Sequence, residues 1–419
     1  MQKKTISTDE AKGLIIQNAH TLDPVDMPVT DGEGSVLAEE IKSSVNLPYF
    51  TNSAMDGYAV KSRDIEGASP DSPAALTVIG AIRAGDSPNF VVGDGEAARI
   101  MTGAPVPKGA DCVVMVEDTE VSAGGRGGGG SKGTDEVVQI KRDGRAGEYV
   151  RREGEEIKKG EVALERGAEL NSASLGFIAE LGIKEIKVYR RPKLCLIVTG
   201  DEVIGPDEEL EPGKIRDAHS VSLGSAVARE RARLLYAERA GDDLRDIDER
   251  VKRALGVCDI LIVTGGISVG DYDHVREVFN NQGVEQIFWG VAQKPGMPLF
   301  FGKRDAALVF GLPGNPASSL VCFYEYVRPA IRRLMGKRDV FLLEIEALLS
   351  EDIRKQPGKT HYIRGYLEKV GGSFHVKPTG KQGSHVLQSF AQSNCLIVAP
   401  ENAARLPANS FVKAHLLPD

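Results

Sequence analysis

The sequence lacks most of what would mark a secreted, zinc-scaffolded, membrane-bound or nucleic-acid-binding protein. Its five cysteines, at 112, 195, 258, 322 and 395, form no CxxC pair and mostly sit in apolar runs such as KLCLIV. Disulfide and zinc frameworks cluster their cysteines, so scattered thiols fit a reducing compartment. No run of about 18 apolar residues is present to cross a bilayer. The start, MQKKTISTDEAKGLI, has no apolar stretch of the signal-peptide kind. The expected location is cytoplasmic, with no membrane partner. Positive charge is also short: the formal net charge is −8. That argues against nucleic acid as a partner and confines any anion site to a local basic pocket. His219, His361 and His385 have no partner at i+4 of the zinc-binding kind.

What is present is length and a changing rhythm. A chain of 419 residues exceeds the roughly 250–300 that one core can serve, so several domains are expected. Ser7 can cap a helix over AKGLIIQNA. From about residue 46 to 147, short β-type runs alternate with turns (LTVIG, EAARIM, DCVVMVEDTEV, EVVQIK), which predicts a mostly β domain. Its segment Gly124–Gly133 is glycine-rich with a lysine, but no Gly-Lys-Ser/Thr order follows, so it reads as a hairpin tip and not a P-loop. Residues 148–190, with a helix over ASLGFIAELG and a strand over KEIKVY, read as a return to a mixed first domain of 1–45 together with 148–190. The β domain would then be an insertion. Over 191–336, near-continuous apolar strands alternate with helices, which predicts an α/β domain with a parallel sheet covered on both faces. Residues 337–419 return to strands of period two and predict a small β barrel.

Four loops follow strands of the α/β domain. They are Thr199-Gly200-Asp201-Glu202, Thr264-Gly-Gly-Ile-Ser-Val-Gly-Asp-Tyr-Asp273, Lys294-Pro-Gly-Met-Pro298 and Gly311-Leu-Pro-Gly-Asn-Pro-Ala-Ser-Ser319. In such folds ligands sit beyond the carboxyl ends of strands, so the four are expected on one rim. Glycines at 200, 265, 266, 270, 296 and 314 would let a ligand approach the backbone. Asn315 and Pro316 make an N-cap and N1 pair, with Ser318 and Ser319 in the first turn, a setting that suits phosphate. Lys294 adds a full charge. Glu202, Asp271 and Asp273 can hold a hard cation such as Mg²⁺. Taken singly, GLPGNP is an ordinary strand-to-helix turn and GDYD a pair of solvated acids. Together they suggest a phosphorylated ligand bridged by a metal.

With these residues in place, the sequence resembles the MoeA-type molybdopterin molybdenumtransferases, the family that includes the C-terminal domain of gephyrin. The resemblance runs along nearly the whole chain. It rests on NSAMDGYAV (52–60), RIMTGAPVPKGADCVV (99–114), RRPKLCLIVTGDEV (190–203), GKIRDAHS (213–220), TGGISVGDYD (264–273), KPGMP (294–298), GLPGNPASS (311–319) and GSHVLQSFAQSN (383–394). It implies insertion of molybdate into adenylylated molybdopterin with release of AMP, assisted by Mg²⁺. It also implies a homodimer in which Asp56 and Thr102 of the insertion serve the sheet domain of the other subunit. Glu202, Asp242 and Asp273 would form the acidic group, with Asp271 a further metal ligand. Lys294 matches the first lysine of the family's KPGKP, and Arg364 with Ser384 or Ser389 the contribution of the C-terminal domain. Thr199, Gly200, Asp201, Gly265, Gly266, Ser268, Gly270, Pro295, Gly296, Pro313, Gly314, Asn315 and Ser318 would bind substrate. A molybdopterin adenylyltransferase and apo-molybdoenzymes are the implied protein partners. The sequence departs from the pattern at Met297 (second lysine of KPGKP), His219 (commonly asparagine) and Tyr149 (commonly asparagine). A tungstate-inserting homologue, an adenylyltransferase and a non-catalytic scaffold are the competing functions. The insertion and tail argue against the second, and the retained acids against the third.

Overall fold

The computed structural model describes residues 5–123, 136–267 and 274–418; the segment Gly124–Gly133 lies outside them. The chain divides into two compact units, one of residues Met1–Glu39, Gly167–Leu175 and Glu185–Asp419, the other of Glu40–Arg166 and Gly176–Lys184. Among the described residues no helix is long and apolar enough to cross a membrane.

In the second unit a six-stranded sheet has the order Cys112–Met115, Gly57–Val60, Glu96–Ile100, Ala74–Ile82, Glu136–Ile140, Thr119–Ala123. Alternate residues of Gly57–Val60 serve different cores: Tyr58 and Val60 join Ile65, Leu76 and Ile140, whereas Ala59 joins Ile82, Ala98 and Val113. This period of two is what the strand pleat requires.

The larger unit is built on a six-stranded sheet. In chain order its strands are β1 (Lys193–Thr199), β2 (Arg233–Ala240), β3 (Ile260–Thr264), β4 (Glu285–Trp289), β5 (Phe300–Arg304) and β6 (Ala307–Leu312). The spatial order is β2-β1-β3-β6-β5-β4, with β2, β1, β3 and β6 paired in parallel. Strand β5 is antiparallel to both its neighbours, so the sheet is mixed at that edge. It returns into β6 through the short turn at Asp305, which has a left-handed φ of 54°. Nothing in the run PLFFGKR announced that reversal.

Both faces are covered, as near-continuous apolar strands demand. Leu194, Leu196, Val198, Ile260, Ile262 and Phe310 pack on one side with Ile15 and Phe323. Cys195, Ile197, Leu261, Val263 and Val309 pack on the other with Val251 and Phe279. Each such side chain is worth about 1.5–3 kcal/mol when fully buried, which fixes the strand ends that carry the site. A helical run follows β6: Pro316–Cys322, a π-helical turn Phe323–Val327, then Arg328–Leu334. Its Glu325, 2% exposed, accepts from Lys12 Nζ at 2.5 Å and contacts His415 Nδ1 at 2.7 Å. Burial pushes that carboxyl up, but Lys12 and His415 outweigh it and hold it down at about 2. This one buried acid ties the N-terminal helix Thr8–Asn18, the helical run and the C-terminal domain together.

The C-terminal strands Glu344–Leu349, Thr360–Val370, Ser373–Pro378, Cys395–Ala399 and Phe411–Leu416 close into a barrel, because Thr360–Val370 pairs with both Ser373–Pro378 and Cys395–Ala399. The interior holds Ala347, Leu349, Ile363, Val376, Ile397 and Ala414. Residues Gln293 and Lys294 add a short parallel strand to it, opposite Thr360 and His361.

Candidate functional site

The carboxyl ends of β1, β3 and β6 meet at a cavity of about 400 Å³. Its walls are Thr199, Gly200 and Glu202 of the first loop, Thr264, Gly265 and Gly266 of the second, Pro298 of the third, and Pro313, Gly314 and Asn315 of the fourth. Asp242, just beyond β2, joins them. All four strand-end loops therefore contribute to one concavity. Ser268, Gly270, Asp271 and Asp273 lie outside the described residues.

Gly265 shows why the second loop reads as it does. Its φ is +86°, and a Cβ there would lie 2.6 Å from Thr199 Oγ1 and 2.9 Å from the Thr199 carbonyl oxygen. Thr199 in turn donates its hydroxyl to the Thr264 carbonyl at 3.0 Å, fastening β1 to β3 at the rim. Only glycine fits that space and that backbone conformation.

The acids divide their work. Asp201 and Asp242 each accept the other's backbone N–H, at 3.0 and 3.2 Å, which locks the two loops. Asp201 is thus a loop brace and is absent from the cavity wall, whereas Asp242 and Glu202 are part of it. Among the described residues no group of three or more His, Cys, Asp or Glu side chains is placed to hold a metal. Glu202 and Asp242 are two oxygen donors of the kind a hard cation takes.

His219 is buried in the same wall. Its Nε2 lies 2.9 Å from the Gly314 carbonyl, so that nitrogen carries the proton and donates. Burial holds its pKa below the ordinary imidazole value. Nδ1 is left as an acceptor, and it and Thr264 Oγ1 have no hydrogen-bond partner among the described residues. The sequence marks His219 as a departure from the GKIRDAHS pattern, but not as part of the cavity wall.

A second cavity, of about 510 Å³, shares Pro298, Pro313 and Asn315 with the first. It takes in Lys294, Pro295, Gly296, Met297, Ser318, Lys359, Gln382 and Ser384. The Lys294–Gly296 turn is held by Gln293, whose amide donates to the carbonyls of Pro295 at 3.0 Å and Gly296 at 3.2 Å. A Cβ on Gly296 would lie 2.5 Å from Cys322 Sγ, so this loop too requires glycine. Asn315 stands at the N-cap with Pro316 at N1, yet its side chain makes no capping hydrogen bond. The Ser319 hydroxyl does not face an anion: it donates to the Pro313 and Asn315 carbonyls.

Arg364 lies behind this cavity, not in its wall. It is 0% exposed. Its Nε donates to Ser389 Oγ at 3.1 Å, and Nη2 donates to the carbonyls of Lys381 at 3.1 Å and Gly383 at 3.0 Å. Nη1 has no partner, and burial lowers the guanidinium to about 10. Ser389 is therefore a support for Arg364, while Ser384 lines the cavity. Among the described residues neither Lys294, Lys359 nor Arg364 has a carboxylate within 4.0 Å. Such cations create a positive field without internal compensation. His361, beside them, is pushed down to about 4, first by burial and then by Lys355, Lys294 and Lys359.

In the other unit Asp56 and Thr102 form a pair. Asp56 Oδ1 accepts from Thr102 N at 2.6 Å and Thr102 Oγ1 at 2.8 Å. The backbone and hydroxyl donors of Thr102 hold the Asp56 carboxyl below its usual value.

Three families of molybdopterin biosynthesis and binding match successive parts of this chain. The MoeA N-terminal region (domain I and II) matches residues 6–182, a probable molybdopterin binding domain 195–333, and the MoeA C-terminal region (domain IV) 346–417. Molybdopterin molybdenumtransferase 2 of Mycobacterium tuberculosis is 34% identical over 411 residues, covering 96% of this chain and 98% of that protein. The molybdopterin molybdenumtransferase of Staphylococcus epidermidis is 32% identical over 417 residues, covering 99% and 97%. The crystal structure of the molybdopterin biosynthesis MoeA protein from Pyrococcus horikoshii OT3 superposes with a TM-score of 0.81 at 29% identity, covering 99% of this chain and all of that one. The chain belongs to the MoeA family of molybdenum cofactor biosynthesis.

Proposed function

We propose that the protein is a molybdopterin molybdenumtransferase that inserts molybdate into adenylylated molybdopterin and releases AMP. One observation carries this reading: the acid-walled and cationic cavities share Pro298, Pro313 and Asn315, so one ligand can reach both. The backbone N–H groups of the glycine loops at 265–266 and 314 suit the phosphates of the substrate. Lys294 suits the molybdate oxygens, with Arg364 adding charge from behind. Glu202 and Asp242 would hold Mg²⁺, with Asp271 and Asp273 as expected further ligands. Bound there, the ion would offset charge on the phosphoanhydride and favour its cleavage. The neutral His219 offers an acceptor to a substrate N–H or O–H.

Asp56 and Thr102 would complete the site from a second copy of the chain, making a homodimer the working unit. Its setting would be the cytoplasm, between a molybdopterin adenylyltransferase that supplies the substrate and apo-molybdoenzymes that receive the product. The test is to supply purified protein with adenylylated molybdopterin, Mg²⁺ and molybdate and to measure AMP. Molybdate-dependent AMP release is expected; release no faster than in a protein-free control would contradict the proposal.

A further inference from the structure

Lys359 was not singled out by any motif, yet the fold brings it to the cationic cavity. The pairing of Gln293–Lys294 with Thr360–His361 sets the barrel strand beside the loop after β4. Lys359 immediately precedes that pairing, and with Lys294 it lines both the 510 Å³ cavity and an adjoining one of about 920 Å³. Its ammonium lies 3.2 Å from Met297 Sδ. A thioether is a weak acceptor, so this contact leaves the donors of Lys359 largely unspent. No carboxylate among the described residues pairs with it within 4.0 Å. In the 510 Å³ cavity the neighbouring polar groups, Gln382 and the hydroxyls of Ser318 and Ser384, carry no charge; the adjoining cavity adds Arg354, Lys355 and one acid, Asp352, which is already paired with Arg405.

Two ammonium groups, neutral donors and no unpaired acid suit a compact doubly charged oxyanion. Met297 alone brings no charge to its loop. We propose that Lys359 is an oxyanion-binding residue of the cationic cavity and, with Lys294, the second charge that holds molybdate there. The inference rests on the proposed function, because it assigns molybdate to this cavity. The low pKa of His361 agrees with it, since Lys359 contributes to the field that keeps His361 neutral.

The geometry also supplies a rescue. A lysine at 297 can bring its ammonium to the region that Lys359 Nζ now occupies, 3.2 Å from the Met297 sulfur. Lys359→Met, Lys359→Arg, Lys294→Met and the double variant Lys359→Met with Met297→Lys are compared with wild type. Equilibrium titration with molybdate and steady-state AMP release are read for each. A charge-assisted contact of ordinary strength predicts that Lys359→Met weakens molybdate binding and raises its KM roughly 10- to 100-fold. The KM for adenylylated molybdopterin stays within about twofold. Lys359→Arg retains most of the affinity, and Met297→Lys restores it in the Lys359→Met background. Wild-type molybdate affinity in Lys359→Met, with affinity lost in Lys294→Met, overturns the role of Lys359 alone. Unchanged molybdate affinity in both single variants overturns the assignment of molybdate to this cavity.

Discussion

His361 reports the charge state of the cationic cavity, and its titration can be worked out in advance. In the folded protein it is held at about 4, by burial first and then by Lys355, Lys294 and Lys359; the ordinary value is 6.5. The fold thus favours the neutral imidazole. Its stability contribution is complete above pH 6.5 and is lost as pH falls from 6.5 toward 4, because the unfolded chain takes up the proton first. Between pH 7 and pH 5 linkage gives an upper bound of about 2 kcal/mol, and screening at this half-buried position reduces it to roughly 1. The comparison is urea unfolding of wild type and His361→Gln at both pH values. Wild type should lose about 1 kcal/mol more than the variant on going to pH 5. The imidazole, followed by NMR, should titrate near 4 in the free protein. It should titrate higher in Lys359→Met and in the presence of saturating molybdate, since either change weakens the positive field. An imidazole that titrates near 6.5 in the free protein, or is indifferent to molybdate, would refute the argument that these lysines lack compensating charge.

Four other outcomes are expected. Gly265→Ala should destabilise the protein by about 2–4 kcal/mol in chemical denaturation, from the left-handed φ, the clash with Thr199 and a lost hydrogen bond; a change below 0.5 kcal/mol would contradict the packing described. Asp273→Asn and Asp242→Asn should each lower turnover at least tenfold while leaving the melting temperature within about 2 °C; a large fall in melting temperature would mark these acids as structural. Lys12→Met should cost about 3 kcal/mol near neutral pH by leaving the buried Glu325 with His415 as its remaining partner, less at pH values near or below 4, where the acid can bind a proton. Equal loss at pH 7 and pH 3 would argue against the buried ion pair. Arg364→Met should weaken molybdate binding about tenfold while the protein remains folded by circular dichroism; unaltered binding would remove Arg364 from the anion field.

The α/β core and its rim were legible because their signals are local. Apolar runs such as DILIV and KLCLIV stop at glycine-rich loops, and strand direction puts those ends together. The C-terminal barrel showed through its alternating strands. What stayed hidden depends on pairings distant in sequence. Lys359 and His361 meet Lys294 only because a two-residue strand at 293–294 docks on Thr360–Val370. The burial of Arg364 and its hold on Ser389 are likewise products of barrel closure. Ser319 looked like a phosphate ligand by its place in a first helical turn, but its hydroxyl satisfies the Pro313 carbonyl. Strand β5 escaped notice because PLFFGKR is short and its reversal depends on a tight turn at Asp305. His219 was visible as a departure from a motif, but only the fold shows it fixed to Gly314 with one nitrogen left over.

Whether the two cavities work as one site is best decided by diffraction at the molybdenum absorption edge from crystals soaked with molybdate and a non-hydrolysable analogue of the adenylylated substrate. An anomalous peak within hydrogen-bonding reach of Lys294, Lys359 and Ser384, with the analogue's phosphates at the Gly265 and Gly314 loops, is the predicted result. Molybdenum elsewhere on the molecule, or an analogue bound away from the carboxyl ends of β1, β3 and β6, would contradict it.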